Sequence, residues 1–243
     1  MYNTKTIMAI YEAQKEAGRI YQGKATNGNR KLGPSIFNIN LPPVITCNPK
    51  APCFKECYGK IGQRNFRFKN TINRMYENLF AFCQDPDRFF ADIASQTRLS
   101  LYCRWFGDGD MPNTRFLQGM VDVAKQNPNC KYLTFTKQYP IVNQYVANGG
   151  KIPKNLRIVF SCWGDWVPEN PYHFPMAWVE FPTCNKNSTK TKPSKLKLEL
   201  WNHNKEVNKQ IPKSCFECPH QCDTCLHCWK MSKRQHVVFK FHR

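Results

Sequence analysis

Two groups of cysteines carry the most chemistry in this sequence. The first is Cys47-x5-Cys53-x3-Cys57, followed directly by Tyr58 and Gly59. Three thiols so closely spaced can wrap one metal centre, and thiolate ligands select zinc, copper(I) or iron–sulfur clusters. Three protein thiolates leave one position of a four-iron cluster open, and an open iron can take a substrate. The alternative is a closed zinc or cluster site completed by a distant fourth ligand such as Cys103 or Cys162. The second group is Cys215-x2-Cys218-Pro219-x2-Cys222-x2-Cys225-x2-Cys228-Trp229. Its tandem spacing matches the compact runs that hold iron–sulfur clusters, whereas zinc more often takes two CxxC pairs set further apart. The expected ligands are Cys218, Cys222, Cys225 and Cys228, with Cys215 spare; a zinc ion at this group is the alternative. His220 and His227 are expected to be loop residues, since four thiols suffice. Cys83, Cys103, Cys130, Cys162 and Cys184 lie in or beside apolar patterns and are expected to be buried free thiols.

Other candidates follow predicted strands. Gly107-Asp108-Gly109-Asp110 offers two carboxylates with glycine flexibility, suited to an amine, a hydroxyl pair or a metal; the competing expectation is a turn whose carboxylates cap the next helix. Thr136-Lys137 ends another strand, and Lys137 can reach an anionic group. Trp163, Asp165 and Trp166 can line a pocket. No glycine-rich phosphate loop, nucleophile elbow or HExxH helix is present.

These residues need a frame, and the composition supports one. The chain has 243 residues, 41% hydrophobic and 14% aromatic, so there is material for a real core. No run of about 18 apolar residues exists, so no transmembrane helix is expected. The first twenty or so residues carry acids inside their apolar pattern and do not read as a secretory signal. The expected location is cytoplasmic, where thiols stay reduced and 13 cysteines point to metal rather than disulfides. The net charge of +19 is uneven: residues 1–40 carry +4, 41–74 carry +6, 75–184 are neutral and 185–243 carry +9. The basic excess lies at the two ends of the chain, the same ends that hold the cysteine groups. It is expected either to attract phosphate backbones or to offset thiolate-bound metal. Trp201, Trp229 and Phe241 are candidates for base stacking in the first case.

Apolar spacing predicts helices over 5–18, 70–83, 114–126 and 139–147, and another beginning at Asp85-Pro86, with Asp85 as N-cap. Strands are expected at 35–41, 99–106, 131–136, 156–162, 176–181 and 236–241, with 23–34 a turn-rich connector and 185–197 a polar, lysine-rich loop. About six strands separated by helices or long connections predict an α/β fold: a partial or open (β/α) TIM-like barrel with a parallel sheet, plus a Cys-rich C-terminal segment. The expected organisation is an N-terminal helix and connector (1–34), a partial barrel bearing the first Cys loop (35–184), and a basic loop, Cys-rich segment and final strand (185–243) packed on the same body. In such folds sites lie at the carboxyl ends of strands, where Cys47–Cys57, Gly107–Asp110 and Lys137 fall.

The order of these elements resembles a known family. LGPSIFNINLP, a Cys loop ending Cys-Tyr, a strand running into GDGD, a Thr-Lys strand end, then CP…CxxCxxCW and a terminal H-x-V-x-F-x-x-H is similar to the phage "gene product 88" domain family, over about residues 32–242. The resemblance implies a relative of the radical S-adenosylmethionine barrel with one or two [4Fe–4S] clusters, held by Cys47, Cys53 and Cys57 and by Cys218, Cys222, Cys225 and Cys228, in a phage-infected host cell. Asp110 keeps the family's strand-end motif, and Asp108 departs from it. The Cys-x5-Cys-x3-Cys loop departs from the Cys-x3-Cys-x2-Cys of radical enzymes, so S-adenosylmethionine stays an open alternative as ligand. Two functions are carried forward. One is an iron–sulfur enzyme that uses Asp108, Asp110 and Lys137 on a small molecule. The other is a nucleic-acid-binding protein with structural zinc or iron–sulfur sites.

Overall fold

The computed structural model describes residues 4–29, 31–54, 57, 69–183 and 195–241. Strands β1 (Thr26–Asn27), β2 (Phe37–Ile39), β3 (Tyr102–Trp105), β4 (Lys131–Thr136), β5 (Leu156–Ser161), β6 (Met176–Glu180), β7 (Phe216–Glu217) and β8 (His236–Lys240) form one sheet in the order β1-β2-β3-β4-β5-β6-β8-β7. Pairing is parallel from β2 to β7, and only β1 runs antiparallel, against β2. The sheet does not close, since β1 and β7 are its two edges. The expected six parallel strands are present, shorter at several ends than their apolar patterns suggest. Two-residue edge strands add β1, inside the supposed connector, and β7, beside Cys215 and Cys218.

Helices α1 (Thr4–Glu16), α2 (Lys69–Gln84), α3 (Pro86–Thr97), α4 (Thr114–Gln126) and α5 (Tyr139–Ala147) follow the predicted spacing. Asp85 caps α3 by accepting from the Arg88 N–H, and Asn113 caps α4 by accepting from the Phe116 N–H. The predicted inner faces are buried: Phe89, Phe90, Ile93 and Ala94 on α3, and Phe116, Leu117, Met120, Val121 and Ala124 on α4. The two helices approach closely at Gly119, where a Cβ would fall 2.0 Å from the Phe90 ring. Helix α6 (Lys195–Asn208) corrects the expectation of a loop to residue 197. Its lysine-rich start hides a helix that docks through Asn204, which donates to the Pro182 carbonyl, and Asn208, which bonds the Phe181 backbone on both sides. Two four-residue helices, α7 (Cys222–Cys225) and α8 (His227–Lys230), carry the second cysteine group.

Each face of the sheet is covered, which is why the central strands read as nearly continuous apolar runs. On one face Cys103, Trp105, Tyr132, Ile158 and Phe160 pack against the aromatic faces of α2, α3 and α4. On the other, Leu133, Val159, Ala177 and Val237 pack against Leu32, Ile36, Trp229 and Met231. The second cover is the Cys-rich segment itself. Its anchor is Trp229, 5% exposed, whose indole N–H donates to the Cys103 carbonyl at 2.9 Å and whose ring meets Tyr102 edge-on. The connector holds it from the side: the Cys222 N–H donates to the Lys31 carbonyl at 2.9 Å, and Asp223 presses so closely on Gly33 (φ +78°) that a Cβ there would collide with its carboxylate. Trp229 is therefore enclosed and unavailable to stack on a base. Trp229→Ala is expected to cost about 3–5 kcal/mol of folding stability. Urea unfolding followed by circular dichroism checks this, and a loss below about 1 kcal/mol would mean that the indole is not the anchor described.

Candidate functional site

A cavity of about 630 Å³ opens at the carboxyl ends of the parallel strands. The loop after β2 brings Cys47, Cys53 and Cys57 to it; the loop after β3 brings Phe106 to Asp110; β4, β5 and β8 bring Lys137, Ser161, Trp163 and Phe241. Its floor is the Cys-rich segment, through Cys218, Cys222, Cys228 and Trp229. The two cysteine groups, far apart in sequence, thus line one space. Cys225 is not in the lining, but it lies close enough for its charge to raise the Cys222 and Cys228 thiols.

Two bulky loop residues around this space sit in the left-handed backbone region, Val44 (φ 74°) and Phe106 (φ 59°). Side chains rarely accept that conformation, and it persists where the surroundings over-determine it. Phe106 is held by its N–H, which donates to the Ile39 carbonyl at 2.8 Å. The GDGD turn that follows is fixed by the alternation of β2, which sends Asn38 and Asn40 to the same side. Asn38 accepts from the Gly107 N–H at 3.3 Å, and Asn40 from the Asp108 N–H at 3.0 Å. Gly109 (φ +82°) lies against the Leu41 carbonyl, where a Cβ would fall 2.4 Å from the oxygen. Glycine is required there by both conformation and space.

Asp110 is 5% exposed, and its two oxygens are engaged inside the protein. Oδ1 accepts from the Met111 N–H at 2.8 Å and the Thr136 hydroxyl at 2.7 Å; Oδ2 accepts from the Lys137 N–H at 2.8 Å. Its own N–H donates to the Thr46 hydroxyl at 3.2 Å, one residue before Cys47. Asp110 therefore ties the first Cys loop to the ends of β3 and β4. Burial pushes its carboxyl up to about 6, against the pull of those donors and of Lys137. Asp108 faces the cavity half-buried; burial raises its carboxyl, and Arg104 works against that rise. The Lys137 ammonium donates to Ser161 Oγ at 2.9 Å and lies 5.7 Å from the centre of the Trp163 ring. Lys31, Arg104 and Ser161, which motif reasoning did not single out as ligands or catalysts, also line the cavity. For Arg104 the available signal was alternation, since Tyr102 and Arg104 face opposite to Cys103 and Trp105 in β3.

The thiols respond to the same surroundings. Burial raises Cys47 to about 12, helped by the charges of Asp110, Cys57 and Cys53 and opposed by the Val44 backbone N–H. Burial raises Cys53 as well, with Lys137 pulling it down. Burial and the charges of Cys218, Cys222 and Cys225 raise Cys228 to about 12, while Arg104 opposes them. Cys222 is raised by burial and lowered by Arg104 and Lys31. Each group is thus a set of sulfurs that repel one another when ionised, the condition a bound cationic centre relieves. Among the described residues, no three Cys, His, Asp or Glu side chains are drawn together tightly enough to hold a single metal ion.

The remaining cysteines lie elsewhere. Cys103 is buried under the helices, its Sγ 3.3 Å from that of Cys130, and Cys162 is buried beside Cys215; none of the four lines the cavity. Cys83 is exposed on α2, contrary to the expected burial, because it falls on the outer side of that helix. Cys184 lies outside the described residues. His227 stacks on Phe216 at 3.9 Å. Trp166 packs on Tyr139 in the core, away from the cavity.

Fold and site together define an α/β protein with an open, mostly parallel sheet and a cysteine-lined cavity at its carboxyl edge. A family model described as Gene product 88 matches residues 8–231, and the chain belongs to that phage family. No curated protein and no solved structure matches it. No helix among the described residues is long and apolar enough to cross a membrane.

Because Asp110 holds its proton more tightly in the folded chain than in the unfolded one, it contributes stability below about pH 4 that is lost as pH rises to about 6. Asp110→Asn removes this titration. The stability of the wild type relative to the variant is expected to fall across that window, on the order of 2–3 kcal/mol. Urea unfolding at half-unit pH steps measures it, and a flat difference would contradict the burial of the carboxyl.

Proposed function

We propose that the protein is an iron–sulfur protein whose cavity takes a small molecule, with an open (β/α)-barrel-like sheet as its frame. The observation that carries this reading is the shared cavity: three thiols from the loop after β2 and three from the Cys-rich segment face the same space. The donor set fits. All are soft sulfur ligands, half-buried, and at Cys47 and Cys228 burial and neighbouring thiols hold the ionised form off until a cation compensates it. A cluster also spreads its ligands over several irons, so it does not need the tight convergence of a one-ion site.

In this reading Cys47, Cys53 and Cys57 would hold a [4Fe–4S] cluster with one iron open toward the cavity, and Cys218, Cys222, Cys225 and Cys228 would hold a second. When bound, such clusters supply electrons and Lewis acidity. The chain's own residues do the rest. Asp110 sets the position of the first Cys loop through Thr46. Asp108 and Lys137 present a carboxylate and an ammonium to whatever occupies the space. Phe106, Trp163 and Phe241 limit its access to water.

The test is anaerobic purification or reconstitution with iron and sulfide, followed by metal analysis, visible absorption and EPR. The expected protein is brown and contains iron with acid-labile sulfide. Cys57→Ala and Cys228→Ala should each remove part of the iron and together remove nearly all. Oxygen-protected protein without iron and sulfide, or with zinc alone, would falsify the reading.

A further inference from the structure

The cavity's charges point to the kind of molecule it accepts. Four cations line it, and three of them, Lys31, Arg104 and Lys137, lie over an aromatic ring and form no ion pair among the described residues. The distances from cation to ring centre are 5.1 Å for Lys31 on Phe239, 5.1 Å for Arg104 on Phe135 and 5.7 Å for Lys137 on Trp163. The fourth, Lys240, pairs with Glu217 instead. Two carboxylates line the cavity. Asp110 is saturated by its own donors, and Asp108 feels Arg104. Arg104 and Lys31 face the second cysteine group, where they lower Cys222. Lys137 lies by the first cysteine group, where it lowers Cys53, and its charge also reaches the buried Asp110. It has one neutral hydrogen-bond partner, Ser161, and no ion pair among the described residues.

Beside that ammonium the cavity has a wall of flat rings. Trp163, Phe181 and Phe241 follow β5, β6 and β8 respectively. Trp163 meets Phe181 edge-on at 5.5 Å and Phe241 at 5.8 Å, while Phe181 and Phe241 stack at 5.3 Å. Trp163 and Phe241 present this wall to the cavity. An ammonium with no carboxylate at ion-pair distance among the described residues, set on the edge of an aromatic wall in a space of about 630 Å³, is a recognition element for a drug-sized anion.

We propose that the cavity binds a planar aromatic molecule carrying one carboxylate or phosphate, with the anionic group on Lys137 and Ser161 and the ring against Trp163 and Phe241. This rests on the reading above only in taking the cavity as the ligand site. A charge-assisted hydrogen bond at a partly dry site contributes roughly tenfold or more in affinity. A ring on the Trp163 wall adds affinity that does not depend on charge.

Calorimetric titration with 2-naphthoate, 2-naphthyl phosphate and the neutral 2-naphthamide tests this, on protein both with its iron and stripped of metal by chelation. At least one of the two anions is expected to bind more tightly than the amide. Lys137→Met should weaken the bound anion about tenfold and leave the amide nearly unchanged, and Lys137→Arg should restore much of the loss. Trp163→Leu should weaken anion and amide alike. Preference for naphthoate or for naphthyl phosphate tells carboxylate from phosphate. Equal binding of amide and anion, no binding of either anion, or an unchanged Lys137→Met variant of wild-type thermal stability overturns the proposal. Iron and sulfide are measured on the same samples, so loss of the iron–sulfur reading is seen separately from loss of anion binding.

Discussion

The parallel pairing of β8 with β6 is the constraint on which the rest of the molecule depends. Five residue pairs, from Met176 with His236 to Glu180 with Lys240, return the C-terminal stretch to the sheet. That return carries Trp229 and the second cysteine group onto the face the helices leave open, opposite the loop that bears the first group. A strand inserted elsewhere in the order would leave the two groups on separate surfaces. Sheet order here is therefore also site assembly: β8 places Phe239 and Phe241 in the cavity, and its neighbour β7 leads directly to Cys218.

The polar atoms around the cavity divide into those that build it and those left facing it. Asp110, Asn38, Asn40, Thr46 and Thr136 spend their hydrogen bonds holding backbone in place, and the turns they hold include a strained Phe106 and a glycine-dependent Gly109. Asp108, Lys137, Arg104 and the thiols face the space instead. The two carboxylates of one short motif thus have different parts, decided by which side of the turn each falls on. Asp110 acts through the loops it positions, whereas Asp108 is presented to the interior.

Much of this was legible in the residues. The apolar spacing of α3 and α4, the Asp85-Pro86 start, the parallel strands and the placing of the cysteine loop and GDGD at strand ends all follow from local rules that the tertiary structure leaves intact. What was not legible depends on long-range geometry. Nothing local in Cys47–Cys57 or Cys218–Cys228 says that they face one another, because that follows from strand order. Trp229 reads as an exposed stacking ring beside a basic cluster until the sheet face beneath it is known. Helix α6 starts among lysines with little apolar pattern, and its docking comes from two asparagines that bond the backbone just after β6. Cys83 sits in an apolar run, yet it falls on the outer side of α2. Lys31 belongs to a connector of turn residues, and only the contact of that connector with Cys222 brings it to the cavity.

Seating cations on rings has a consequence for how steady the cavity's electrostatics are. A lysine paired with a surface carboxylate loses its partner on acidification and much of the attraction as ionic strength rises. An aromatic face has no proton to gain, and a half-buried contact is poorly reached by small ions. The seating of Lys31, Arg104 and Lys137 on their rings is therefore less altered by acid and salt than the ion pairs of the exterior, and the acid response of the cavity is left to its carboxylates, Asp108 and Asp110.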